Sequence, residues 1–171
     1  MMLFDQCKQV KAFVFAIDGV CTDGKVWLSE RGDRWMGFHS RDRYALRLAA
    51  QYYPIALVGN DPLVMGWVND LGITDLFHYG GSGISLFRDW IAANGLATSH
   101  VLYMGGDVGD LDFMASGGFS TCPADATDDV KAAAAYISHC NGGAGAVRDI
   151  IEKVMKLQGT WNRTDVKTSP I

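Results

Sequence analysis

The sequence predicts an α/β fold, a central parallel sheet with crossover helices, in a single domain over residues 1–171. Three observations lead there. Strand-like apolar runs alternate with helix-type patterns along the chain. The first run, residues 10–17, is nearly continuously apolar and rich in Val and Phe, as suits a central strand covered on both faces. Gly72, Gly95 and Gly159 stand where three helical patterns stop. No repeat, low-complexity stretch or linker breaks the series, and 171 residues is one domain's length.

The remaining strands are expected at residues 54–59, 100–105 and 118–124, with a short fifth at 135–140. Helices are expected at 41–52, 62–71, 84–94, 109–116, 127–134 and 144–157. Asp61 before Pro62 reads as an N-cap with proline in the first turn, and Thr127 with Asp128 and Asp129 marks another helix start. One segment departs from the alternation. Residues 25–40, "KVWLSERGDRWMGFHS", carry two strand-like runs around the turn-forming "ERGD" and predict a β-hairpin inserted after the first strand. Isolated two-stranded hairpins are marginal in water, and this one bears Val26, Trp27, Leu28, Trp35, Met36 and Phe38, so something must cover it. It folds back on its own domain or packs against other copies in an oligomer, and the apolar load favours the second.

Composition narrows the function classes. A net charge of -4 with 15 scattered Lys and Arg argues against a general nucleic-acid or acidic-membrane binder. No segment reaches the roughly 18 apolar residues that cross a bilayer, and "MMLFDQCKQVK" lacks the apolar region of a secretory signal, so a cytoplasmic protein is expected. Cys7, Cys21, Cys122 and Cys140 form no CxxC pair and read as reduced thiols. His39, His78, His100 and His139 show no metal-binding spacing.

In an open α/β sheet, ligands bind at the carboxyl ends of the strands. The loops there read "AIDGVCTDG", "VGNDP", "YGGSG" and "YMGGDVGD". In order and content they resemble the haloacid dehalogenase superfamily of phosphohydrolases, whose first strand ends in a D-x-D-G-V-x-T-D-G loop. The match is closer to its small capless branch, the 3-deoxy-D-manno-octulosonate 8-phosphate (KDO 8-phosphate) phosphatases. It extends through the hairpin, "SRDRYALRLA", "LGITDLF" and "NGGAGAVRDIIEKV", covering roughly residues 9 to 160, and "VMKLQGTW" is similar to the tail of versions from the Bacteroidetes. The resemblance implies a Rossmannoid three-layer α/β/α sandwich without a cap domain. It also implies a magnesium-dependent phosphatase of lipopolysaccharide sugar synthesis, assembled as a tetramer through the hairpin.

Carried over one residue at a time, the resemblance also implies a loss. The nucleophilic aspartate falls at Ala16, whose methyl group cannot attack phosphorus. The acid/base aspartate is retained as Asp18. The hydroxyl of the second motif falls at Val58, followed by Gly59 and Asn60 where the branch has T-G-R. The lysine of the third motif falls at or close to Gly83, and no Lys lies between Lys25 and Lys131. In the fourth motif Gly106 replaces a metal-binding aspartate, leaving Asp18, Asp107 and Asp110 as a residual ligand set. Gly59, Asn60 and Arg43, the last standing where the family has glycine, remain as candidates on the substrate side. Phosphate monoester hydrolysis needs accelerations of up to about 10²¹-fold, supplied by positioning, metal and positive charge. The expectation is therefore a pseudophosphatase with a scaffold, regulatory or assembly role and no cofactor. It is expected as a homotetramer or in hetero-oligomers with an active paralogue. The other reading is a magnesium-dependent sugar-phosphate phosphatase with residual activity. The carboxylate cluster should raise its own pKa values. Arg43 is expected on a solvated helix face unless it turns inward to pair with Asp18 or Asp107. "GGSG" (80–83) and "NGGAG" (141–145) could offer backbone amides to a phosphate, and residues 160–171 form a polar tail.

Overall fold

The computed structural model describes residues 3–161. Helix α1 (Leu3–Gln9) leads into β1 (Ala12–Ala16), and the hairpin β2 (Trp27–Leu28) and β3 (Arg34–Trp35) follows. The chain continues as α2 (Ser40–Ala49), β4 (Ile55–Val58), α3 (Met65–Leu71), β5 (Asp75–Phe77), α4 (Gly83–Ala93) and β6 (Val101–Met104). It ends with α5 (Leu111–Ser116), β7 (Phe119–Cys122), α6 (Asp128–Ala133), β8 (Tyr136–Ile137) and α7 (Ala146–Leu157). Six parallel strands form one sheet in the order β5-β4-β1-β6-β7-β8. Strand β1 therefore lies between β4 and β6, where the strand order reverses, and its carboxyl end opens onto the crevice in which such folds bind ligands.

Alternation along the strands divides the core into two layers. Phe13 and Phe15 of β1, with Leu57 and Met104, pack against α1, α2, α3 and α7. Ala12 and Val14, with Val58 and Tyr103, pack against α4, α5 and α6. The parallel sheet with crossover helices predicted from the alternating pattern is present, in the three layers that the resemblance implies. Asp61 caps the turn at Pro62–Val64 by accepting from the Leu63 amide (3.0 Å), and Gly72, Gly95 and Gly159 take φ of 71°, 65° and 74° at helix ends. Gln158 ties the far ends of the chain together. Its Nε2 donates to the carbonyls of Cys7 and Val10 (2.8 Å each), and its Oε1 accepts from Tyr53 (2.9 Å).

Three expectations need correction. Strand β5 was not foreseen, because "TDLF" is short and carries an aspartate, yet it pairs with β4 along its whole length. Helix α1 was likewise missed; only Cys7 of its seven residues is buried, so its apolar pattern is weak. Thr127 stands at the start of α6 but its side chain makes no capping bond.

The hairpin divides. Met36 and Phe38 fold back on the domain, Phe38 stacking on Trp67 at 4.1 Å, and Arg34 pairs with Asp61 at 2.5 Å. Val26, Trp27, Leu28 and Trp35 remain exposed, with Trp27 opposite Trp35 in the register. All four cysteines are free thiols, and no helix among the described residues is long and apolar enough to cross a membrane. The tail beyond residue 161 lies outside the described residues.

Candidate functional site

The site begins with the turn that ends β1. Ile17–Cys21 curls back so that the Thr22 amide reaches the Ile17 carbonyl (3.0 Å), with Gly19 at φ 74°. Buried Thr22 holds the turn: its Oγ1 donates to the Ile17 carbonyl and accepts from the amides of Gly19 (3.3 Å) and Gly24 (3.1 Å). The 141–145 loop closes against the same turn. A Cβ on Gly142 would lie 1.8 Å from the Gly19 carbonyl oxygen, so only glycine fits.

A cavity of about 370 Å³ opens at this turn, lined by Asp18, Tyr79, Asp107, Asp110, Asp125 and Thr127 among others. Among the described residues no Lys, Arg or His contributes to its wall. Ala16 is fully buried in the layer facing α2 and α7, and Val58 in the layer facing α4 and α5. Neither offers a nucleophile or hydroxyl to the cavity. Burial pushes the Asp18 carboxyl above its ordinary range, and the charges of Asp61 and Asp110 push it in the same direction.

Asp110 is 1% exposed and fully engaged. Its Oδ1 accepts from the hydroxyls of Tyr79 (2.8 Å) and Tyr103 (2.7 Å), and its Oδ2 from the amides of Gly106 (2.7 Å) and Asp107 (3.1 Å). Asp107 accepts from the amide of Val108 at 2.7 Å. Burial next to Asp110 pushes both phenols up, so they stay protonated and donate. A carboxylate holding four donors has no lone pair free for a cation. Among the described residues no group of three or more acidic, His or Cys side chains stands together in a metal-binding arrangement. Asp18, Asp107 and Asp110, the expected residual ligand set, line one cavity.

The position of the third-motif lysine is closed by backbone. A Cβ on Gly83 would come 1.9 Å from the carbonyl oxygen of His78, and the Gly83 amide donates to Gly80. Gly106 differs: a Cβ there would meet the Gly19 oxygen at 3.2 Å and Val20 at 3.3 Å, tight but near ordinary contact. On the side assigned to substrate, Asn60 accepts from the Tyr79 amide (2.9 Å) and the Gly59 carbonyl is hydrogen-bonded to His78 Nδ1 (2.9 Å). Arg43 faces elsewhere. It makes two hydrogen bonds to Asp70 of α3 (2.6 and 2.9 Å), which hold the Asp70 carboxyl below its usual range, so its assignment to the substrate side is corrected. The glycine loops spend their amides internally: Gly142 donates to Asp125, Gly143 to the Val20 carbonyl and Gly145 to Asp42.

No protein-family model matches the chain. It is 28% identical over 157 residues to the 3-deoxy-D-manno-octulosonate 8-phosphate phosphatase KdsC of Salmonella typhi, covering 90% of this chain and 84% of that one. The crystal structure of the corresponding phosphatase from Yersinia pestis superposes with a TM-score of 0.85 at 25% identity, covering 92% and 87%. This chain has the haloacid dehalogenase fold and is similar to the KDO 8-phosphate phosphatases. The cobalt-bound phosphatase YrbI of Haemophilus influenzae superposes at 0.82 with 27% identity, covering 90% and 92%. That relative of the KDO 8-phosphate phosphatase type binds cobalt.

Residue-by-residue reading of the motifs missed Tyr79, Tyr103, Thr22 and Asp125. Tyr103 had a signal, as the one hydroxyl inside the apolar run "VLYM" directly before the fourth loop. Tyr79 and Asp125 had none, because they reach the site from separate loops.

Proposed function

We propose that this chain is a noncatalytic relative of the KDO 8-phosphate phosphatases, kept for assembly or regulation. The observation that carries the reading is the methyl group of Ala16, buried at the end of β1 where the fold's chemistry requires a nucleophile. The rest of the cavity supports it. A wall of carboxylates without a cation repels a phosphate dianion and cannot neutralise charge in a phosphoryl-transfer transition state. One observation favours the other reading, a residual magnesium-dependent sugar-phosphate phosphatase: Asp18 keeps the acid/base position with a raised pKa, as a general acid requires. Release of phosphate from KDO 8-phosphate and a sugar-phosphate panel, with and without magnesium and beside an active relative, separates the two. No turnover above the blank is expected, and clear magnesium-dependent turnover would overturn the proposal.

The assembly role rests on the hairpin. Val26, Trp27, Leu28 and Trp35 present an exposed apolar surface on a two-stranded ribbon too short to be stable alone. Covered by other copies they give a homotetramer, or a hetero-oligomer with an active paralogue, in the cytoplasm. Native mass spectrometry should show the tetramer, and a Trp27→Ser, Trp35→Ser pair should dissociate it. A monomer at all concentrations, both alone and mixed with the active paralogue, would remove the assembly role.

A further inference from the structure

The positive charge missing from the β1 crevice is concentrated elsewhere. Two adjoining cavities of about 330 and 360 Å³ lie where the start of α2 meets α7, and they share Arg41, Arg148 and Glu152. The first is also lined by Lys153 and Lys156, with His39 and His139, and the second by Tyr44 and Trp161. Among the described residues Asp149 and Glu152 are the only carboxylates in either wall. Four side-chain cations against two carboxylates leave two positive charges in excess, in a chain whose net charge is -4.

The carboxylates are already committed. Asp149 accepts from Tyr136 (2.7 Å) and Ser138 (2.8 Å) and pairs with Lys153. Burial works to raise its pKa, but these donors hold it below the ordinary range. Glu152 is shared between Arg148 and Lys156, each at 2.5 Å. Arg41 is exposed and has no carboxylate partner among the described residues. Arg148 is held in place by aromatic faces, its guanidinium carbon 5.4 Å from the Tyr44 ring centre and 4.5 Å from that of Trp161. The amides at the start of α7 play no part, since Asp42 already accepts from Gly145 (3.2 Å) and Arg148 (2.7 Å). The groove thus offers a positioned guanidinium, a free one and two ammonium groups around a space of small-molecule size, with an indole ring along one side.

We propose that this groove binds a compact organic dianion, of the phosphomonoester or dicarboxylate class, with its charged end between Arg41, Arg148 and Lys156 and its organic body against Trp161. Planar guanidinium forks suit either oxyanion, and two excess positive charges match a dianion. The site is separate from the β1 crevice and does not depend on whether that crevice is catalytic.

The test is calorimetric titration of the full chain at low ionic strength with inorganic phosphate, malonate and acetate, chloride being matched throughout. Inorganic phosphate or malonate should bind with one site per chain, and acetate at least tenfold more weakly. Arg41→Ala should weaken dianion binding at least tenfold. Arg43→Ala, two residues along α2 and paired outside the groove, should leave it unchanged, as should Asp107→Asn in the crevice. Binding of phosphate alone assigns a phosphomonoester, and binding of both dianions assigns the wider class. No dianion binding, binding unaffected by Arg41→Ala, or acetate binding of equal strength would each overturn the proposal.

Discussion

Two cavities on one domain carry opposite charge. Among the described residues, the crevice at the end of β1 presents Asp18, Asp107, Asp110 and Asp125 with no cation, whereas the α2–α7 groove presents Arg41, Arg148, Lys153 and Lys156 against two carboxylates. The first stands where the fold places ligands, and the second has the charge that an anion needs. Position in the fold and suitability for a ligand are therefore separate properties here. The scaffold keeps the geometry of the crevice through Thr22 and the glycine contacts, while the charges set what enters it.

The sharpest way to break the comparison is Asp110→Ala. If Asp110 is a hydrogen-bond hub, the variant leaves the buried Tyr103 phenol, the half-buried Tyr79 phenol and two amides without their acceptor and loses roughly 3–5 kcal/mol of stability. Urea unfolding measures it. A loss under about 1 kcal/mol, or a melting temperature of the natural chain raised by magnesium, would return Asp110 to the role of metal ligand.

Next is Gly83→Lys. The overlap with the His78 carbonyl should cost about 2–3 kcal/mol through displaced backbone, while Gly106→Asp, with only tight contacts, should cost less. Circular dichroism melts of both variants rank them. An unperturbed Gly83→Lys melt would mean that the lysine's place is open and that a point substitution could restore it.

The smallest effect is at Asp18. Its pKa in the folded chain is raised, so its ionised form costs stability above that pKa, and the cost is gone below the unfolded value. Asp18→Asn should therefore stabilise the chain slightly at neutral pH, by about 0.5 kcal/mol or less for so open a side chain. The gain should fade as the pH drops toward 4. A loss of stability at neutral pH that shrinks on acidification would mean that the carboxylate has a cationic partner.

The sequence made the sheet legible because its central strands are continuous apolar runs, and it made the departures from the family-like motifs legible because each is a single position in a loop. It concealed whatever depends on approach between distant segments. Nothing local in "FHYGGSG" reveals that the His78 carbonyl covers Gly83. Nothing in "GGDVGD" reveals that Asp110 is held by tyrosines from β6 and the loop after β5. Arg43 could be read either toward the crevice or toward solvent. Its partner Asp70, 27 residues away, was visible only in three dimensions. The groove was hidden for the same reason, since Arg41 and Lys156 meet only when α2 and α7 pack.

Gln158 imposes an order on synthesis. Its amide group grips the carbonyls of Cys7 and Val10, about 150 positions earlier, and α7 covers the layer formed by α1 and α2. That layer lacks its α7 contacts until residue 158 has left the ribosome, so a nascent chain covers Phe13, Phe15 and Leu46 only in part, with α1, α2 and α3. Contacts this distant also slow folding once the chain is free. A truncation that removes Gln158 should therefore give a chain that depends on chaperones, even though every strand of the sheet remains.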